Sequence, residues 1–379
     1  MLTSFSGRDP CTGNSFTVHT SAGLITRIDA EPADQTAWLC PGLIDLQVNG
    51  FRGHDLNADD LSVETVRSLA RKLLATGVTT FIPTLITAPE QKILHTLAVI
   101  AEARRSDPLL IHMIPFVHVE GPHIQSEDGP RGAHPSEHVR PPDTGEFARW
   151  QQASGDLVGM VTLSPHYAVA LEYIQFLSQR GTHVSLGHTN ASVSQIHAAV
   201  SAGARLSTHL GNGVTQLLSR HPNLIWAQLA DDRLTATFIA DGHHLPADTL
   251  ISMLRAKTVS RSILISDLVA LAGLSPGRYE TPVGGSVDLH PDGHLTLAGS
   301  DYLAGATSTL KDGVAHVASN TGFSLGDALR MATVNPGRFT GRGALLPGAP
   351  ADLVRFDWKE GDSTLQIEEV IVQGQTWHE

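Results

Sequence analysis

The stretch GLIDLQVNG, Gly42 to Gly50, is an apolar run that stops on two amides, Gln47 and Asn49, just before a glycine. Side chains two apart on a strand point the same way, so both amides address one space. Seven more apolar runs follow it. They are TTFIPTLI (79–86), MIPFVHVE (113–120), LVGMVTLS (157–164), THVSLGH (182–188), ARLSTHL (204–210), TATFIAD (235–241) and SILISD (262–267). Between them lie segments with helical spacing, such as DLSVETVRSLARKLLATG, ASVSQIHAAVSAG and PADTLISMLRAKT. Strands alternating with helices imply right-handed βαβ units and a parallel sheet. Eight such units suit an α/β fold of the (β/α)8 TIM-barrel type, which typically takes about 250 residues. A doubly wound open sheet is the alternative.

The ends of these runs carry Gln47 and Asn49, Thr84, Glu120, His166, His188, His209, Asp241 with His244, and Asp267. In a closed barrel all the strand ends meet at one face, where such folds keep their chemistry. One polar end is noise, but a polar residue at nearly every end marks a site. The chain termini read differently. Residues 1–40 and 342–379 hold short β-prone pieces (SFTVHT, GLITRIDA, DLVRFDW, EEVIVQG) and are expected to form a small β-sandwich domain. That leaves 41–341 as the catalytic barrel, with a hairpin inserted near 278–297.

Composition narrows the class of partner. The 379 residues carry 26 basic and 38 acidic side chains, a net charge of −12, which disfavours a nucleic-acid surface or an anionic membrane. No apolar run approaches the ~18 residues of a membrane span, and the N-terminus lacks the charge and apolar blocks of a secretory signal. Cys11 and Cys40 are the only cysteines, so a disulfide framework is not expected and a reducing cytoplasm is the natural setting. With 20 histidines in the chain, only those in a specific context carry information.

Three side chains have that context. Glu120 closes a strand in FVHVEGPHI, where a buried carboxylate must be paired or bind a cation. His188 in SLGHTNAS and His209 in STHLGNG close two others. Glu plus two His leaves coordination positions open on a zinc-like ion, as catalytic sites require. Asp267 ends the last strand, where a carboxylate is placed for general acid–base work; capping a helix is its other possible use.

In these motifs, HVEGPHI, RGAHP, GHTNAS, STHLGNG, IADGHHL, SD followed by AG, and LAGS, the chain resembles the amidohydrolase superfamily, and within it the N-acetylglucosamine-6-phosphate deacetylase family. The resemblance runs from PGLIDLQVNG to PGAPADLV. It implies metal-dependent hydrolysis of an N-acetyl amino-sugar phosphate, with Glu120, His188 and His209 as ligands and Asp267 as acid/base. It further implies substrate contacts from Ala133, His134, Asn212, Gly213, Asp241, His244, Leu297, Ala298 and Gly299, and a phosphate contact from Arg220. Most of the superfamily has His-x-His where Gln47 and Asn49 stand, and those histidines hold a second metal. An amide oxygen is a poor ligand beside imidazole, so the resemblance implies one divalent ion per subunit, zinc or ferrous iron. Binuclear relatives also use a strand-four lysine; here the five lysines, Lys72, Lys92, Lys257, Lys311 and Lys359, lie elsewhere. Homodimers are common in the family, with a neighbour completing the phosphate pocket.

Two stretches depart from the family pattern. Glycines at 211 and 213 flank Asn212, where an aromatic residue and an alanine are usual, and LVALAG follows Asp267 in place of smaller residues. These changes admit a different N-acyl amino sugar or an altered acyl preference; the nearest rival enzyme is a hydrolase of the same superfamily acting on a cyclic amide or another N-acyl compound. A catalytically silent sugar-binding relative is the alternative of another class, against which the intact Glu/His/His/Asp set argues.

Overall fold

The computed structural model describes residues 2–281 and 285–378. Eight parallel strands form the central sheet in sequential order: β1 (Leu43–Val48), β2 (Val78–Ile86), β3 (Val117–Glu120), β4 (Val158–Leu163), β5 (His183–Leu186), β6 (Leu206–Ser207), β7 (Thr235–Ile239) and β8 (Ser262–Ile265). The sheet closes on itself. Asp267 N–H donates to Gln47 O at 3.0 Å and Asn49 N–H to Leu268 O at 2.8 Å, while Val48 bridges Leu268. The seam is tightened by Asp45, a fully buried carboxylate of β1 whose Oδ1 accepts from the Ser266 N–H at 3.1 Å. This is the expected TIM barrel, with its interior filled by Ile44, Leu46, Ile82, Met160, Leu206, Ile239, Ile263 and Ile265.

Each strand is followed by a helix whose local sequence makes it so. The helix Val63–Leu74 starts at Ser62, whose side chain accepts from Thr65 N–H, a cap that typically stabilises by ~1 kcal/mol. Its buried residues, Val66, Leu69, Ala70, Leu73 and Leu74, recur at three- and four-residue spacing, so one stripe faces the sheet. Truncating Leu69 to Ala would open that seam at a cost of roughly 2–5 kcal/mol. After β5, Ser192 and Gln195 form a capping box that fixes the start of the helix Val193–Ala202, just beyond His188.

Six of the eight expected strands are shorter than their apolar runs, two of them markedly. The run from Met113 becomes strand only at Val117, because Asp107 caps a short helix, Pro108–Met113, with Pro108 in its first turn. The run 204–210 is strand only over Leu206–Ser207. The chain ends form one seven-stranded sheet, in spatial order 375–376, 366–372, 353–357, 38–41, 3–8, 15–21, 24–30. It has its own core of Phe5, Phe16, Val18, Ile25, Leu39, Leu353 and Ile371. The insertion after β8 is a three-stranded antiparallel meander, β9 (Gly277–Thr281), β10 (Gly285–Leu289) and β11 (Leu295–Leu297), where a hairpin over 278–297 was expected. Residues 282–284 of that stretch lie outside the described residues. No helix among the described residues is long and apolar enough to cross a membrane.

Candidate active site

The C-terminal rim of the barrel gathers the polar strand ends. Glu120 is the last residue of β3, while His188, His209 and Asp267 stand two residues beyond β5, β6 and β8. These last three have left-handed backbones, with φ of 47°, 27° and 53°. Non-glycine residues held there cost about 1–3 kcal/mol each and concentrate at functional sites. Long-range bonds hold two of them in place: His209 N–H donates to Thr237 Oγ1 at 2.7 Å, and Asp267 N–H to Gln47 O.

The two imidazoles converge on one carboxylate oxygen. His209 Nε2 lies 3.0 Å and His188 Nε2 3.3 Å from Glu120 Oε1, with all three residues buried. Gln47 Nε2 donates to the same oxygen at 3.0 Å. Gln47 reaches it although its neighbour Leu46 also faces the barrel interior; the register break between Asp45 and Val48 lets consecutive side chains point inward. Asn49 Nδ2 donates to Asp267 Oδ1 at 2.8 Å. Burial pushes the Glu120 carboxyl up, but hydrogen bonds and charge from His188 and His209 outweigh it and hold the group well below the usual carboxylate range. Asp267 behaves oppositely. Burial, aided by the nearby Glu120, raises it to about 6, against a smaller opposing pull from His209, His244 and Asn49.

A second tier supports these groups. Asp241 accepts from the backbone N–H of His243 and His244, and its Oδ2 bonds His244 Nδ1 at 2.7 Å. Burial opposes the charge on Asp241, yet the His244 contact brings its carboxyl down to about 2. His134 Nδ1 bonds Thr87 Oγ1 at 2.8 Å, and its ring stands 4.3 Å from that of His188. Burial depresses His134 to about 3, leaving it neutral. Both glycines flanking Asn212 have steric reasons. A Cβ on Gly213 would come within 2.9 Å of His188 Nδ1, and one on Gly211 within 2.9 Å of Leu245 Cδ2.

These side chains open into a cleft of about 600 Å³. Asn49, Glu120, Ala133, His134, His188, His209, Asn212, Gly213, His244 and Asp267 all line it; Gln47 and Asp241 stand behind Glu120 and His244. Arg220 and the trio Leu297, Ala298 and Gly299 do not line it. Arg220 is exposed, two residues past Leu218 on the cleft wall, and makes no ion pair among the described residues. The insertion lines the cleft through Val287 and Leu295, and the segment after it through Tyr302 and Leu303. Sequence reasoning missed Asp55, Asn57, Leu245, Met253 and Tyr302. HDLN (54–57) follows the β1 end and was a readable polar signal; Leu245 and Met253 look like ordinary core residues.

The donor set fits a divalent ion. His188 Nδ1 donates to Pro130 O at 2.9 Å, which leaves the Nε2 lone pair facing a carboxylate oxygen. Two electron-rich atoms face each other stably only with a proton or a cation between them, and a backbone-anchored imidazole is the usual form of a histidine ligand. His134 offers a competing trio, since the donor atoms of Glu120, His134 and His188 lie within 4.8 Å of one another. The direct approach of His209 Nε2 to Glu120 favours His188 and His209 as the pair.

The whole barrel and four of the seven strands of the terminal sheet, residues 38–377, match the amidohydrolase family. An N-acetylgalactosamine-6-phosphate deacetylase of Escherichia coli O157:H7 is 33% identical over 363 residues, 93% of this chain and 92% of that protein. An N-acetylglucosamine-6-phosphate deacetylase of Bacillus subtilis is 33% identical over 330 residues, 85% of this chain and 81% of that protein. Among solved structures, a mutant N-acetyl-D-glucosamine-6-phosphate deacetylase of Mycobacterium smegmatis, in complex with N-acetyl-D-glucosamine-6-phosphate, superposes with a TM-score of 0.84. It is 28% identical, over 96% of this chain and 94% of that one.

Proposed function

The chain belongs to the amidohydrolase family, and on that footing we propose that it hydrolyses N-acetylglucosamine-6-phosphate to glucosamine-6-phosphate and acetate. The observation that carries this is the convergence of His188 and His209 on Glu120 in the cleft that Asp267 also lines. Glu120, His188 and His209 hold one divalent ion, zinc or ferrous iron, both suited to a Glu/His/His set. Such an ion supplies Lewis acidity toward the amide carbonyl and the attacking water.

The chain's own residues do the rest. Asp267 takes the proton from water as the oxygen adds to the acetamide carbon, then delivers it to the amine nitrogen as the C–N bond breaks. Asn49 orients Asp267 for both transfers through its 2.8 Å hydrogen bond. His134, neutral and held by Thr87, and His244, held by Asp241, bind the sugar, with Ala133, Asn212 and Gly213 forming the adjoining wall. Gln47 turns its Nε2 to Glu120, and its amide oxygen is a poor ligand beside imidazole, so no second ion binds beside it.

The cleft lining contains no lysine or arginine among the described residues, so the phosphate is met at the rim. Arg220 is our assignment for that contact, as a guanidinium that pairs well with phosphate. Leu217, 89% exposed, and Trp226, 53% exposed, flank Arg220; this supports a homodimer in which a neighbour covers that rim. Leu297, Ala298 and Gly299 sit at the end of the insertion, off the cleft wall, and their contact with the sugar rests on the family resemblance alone. The free thiols of Cys11 and Cys40 accord with a cytoplasmic setting.

The similarity to a galactosamine-6-phosphate deacetylase favours one second reading, the C4-epimeric substrate. Acetate release from the gluco and galacto 6-phosphates, and from both unphosphorylated sugars, tests the proposal. A marked preference for the phosphorylated gluco substrate supports it; preference for the galacto epimer supports the second reading. No release from any of them would leave the cyclic-amide or sugar-binding alternatives.

A further inference from the structure

A second group of metal-binding side chains lies away from Glu120. Asp292 and His294 stand in the turn between β10 and β11 of the insertion, and His243 in the loop after β7. Donor atoms of these three residues all lie within 4.8 Å of one another, although about fifty residues of chain separate the two segments. The rings of His243 and His294 stack, with centroids 5.1 Å apart and planes 11° apart.

Their hydrogen bonding leaves the donors free. His243 is fixed through its backbone N–H on Asp241, and His294 through its backbone N–H on Asp292 Oδ1 at 3.1 Å. Among the described residues, no ring nitrogen of either histidine makes a hydrogen bond, and Asp292 Oδ2 has no partner. Two uncommitted imidazoles and a carboxylate oxygen form a set that suits zinc and neighbouring transition metals rather than calcium or magnesium. Donors around a tetrahedral zinc with Zn–N bonds of about 2.0 Å stand about 3.3 Å apart. Closing from at most 4.8 Å therefore needs no more than about 1.5 Å of side-chain movement, available to groups on a partly exposed rim.

We propose that His243, Asp292 and His294 form a rim site for a zinc-like ion that ties the insertion to the loop carrying Asp241 and His244. The insertion supplies Val287 and Leu295 to the cleft wall, and His243 adjoins the substrate-facing His244 in sequence. An ion here holds the insertion against that loop at the cleft mouth. It exchanges independently of the ion at Glu120, and excess zinc slows turnover by hindering passage of substrate and product.

The test is zinc uptake by equilibrium dialysis, with turnover measured on the same samples. Wild-type protein whose Glu120 site is already filled should take up one further equivalent and lose activity several-fold as it does so. The double variant Asp292→Asn/His294→Gln should lack that equivalent, keep the first, keep its basal activity and resist inhibition. Glu120→Gln should show the reverse pattern of zinc binding, which separates failure at the rim from failure at the catalytic centre. A wild type that stops at one equivalent, or a second equivalent that survives in the double variant, overturns the proposal.

Discussion

Replacing Asn49 with Ala removes the side-chain donor that Asp267 uses and leaves the Glu120 cluster untouched. Asn49 is 8% exposed and its Nδ2 lies 2.8 Å from Asp267 Oδ1. A hydrogen bond to a charged, buried group is worth about 1.5–3 kcal/mol. At about 1.4 kcal/mol per pK unit, its loss moves the Asp267 carboxyl up by roughly one to two units. The sign follows from the chemistry. Asp267 must be ionised to take a proton from water, so a higher pKa shifts the acid limb of kcat/KM toward higher pH. Starting from a carboxyl at about 6, the ionised fraction at neutral pH falls roughly two- to ten-fold for a shift of that size. At alkaline pH, variant and wild type converge. Steady-state assays across the pH range, with metal content checked on each sample, measure this. Coincident acid limbs, or a uniform loss at every pH, would refute the role given to Asn49.

Introducing Gln47→His with Asn49→His should raise bound metal toward two ions per chain at the active centre, read by elemental analysis of the Asp292→Asn/His294→Gln background; one ion would contradict the explanation of the amides. Arg220→Ala should raise KM for the 6-phosphate substrate about ten- to hundred-fold, the equivalent of a charged hydrogen bond or two, without affecting unphosphorylated sugars. An unchanged preference would remove Arg220 from the phosphate contact. Gly211→Ala should destabilise by about 1–3 kcal/mol in thermal unfolding, the usual cost of a non-glycine residue in such a backbone. Its φ is 104°, and the new Cβ would meet Leu245 and Met253. Unchanged stability would contradict the steric and backbone reason given for Gly211.

Much of the barrel was legible because the signals are local. An apolar run that ends on a polar residue names both a strand and the end that faces the rim, and this brought Glu120, His188, His209 and Asp267 to one cleft. The strand limits at Val117 and Leu206 were less legible, since apolar runs continue past the point where pairing stops. The Asp-Pro start of the helix Pro108–Met113 was a readable local signal. Long-range partnerships left no trace in any window. Asp45 looks like a misplaced charge until its partner Ser266, 221 positions away, appears across the barrel seam. Leu245 and Met253 became cleft wall only because Gly211 leaves them room. Arg220, Leu297, Ala298 and Gly299 came from motif alignment alone, which carries residue identity but not the distance from the cleft.

The central claim is that Glu120, His188 and His209 hold the ion that Asp267 works beside. Its most direct test is metal content and acetate release from N-acetylglucosamine-6-phosphate, measured together on wild type and Asp267→Asn purified alike. Equal ion content at the active centre, with turnover in the wild type only, is the predicted result. Turnover by Asp267→Asn, or full activity in wild-type protein stripped of metal, would contradict it.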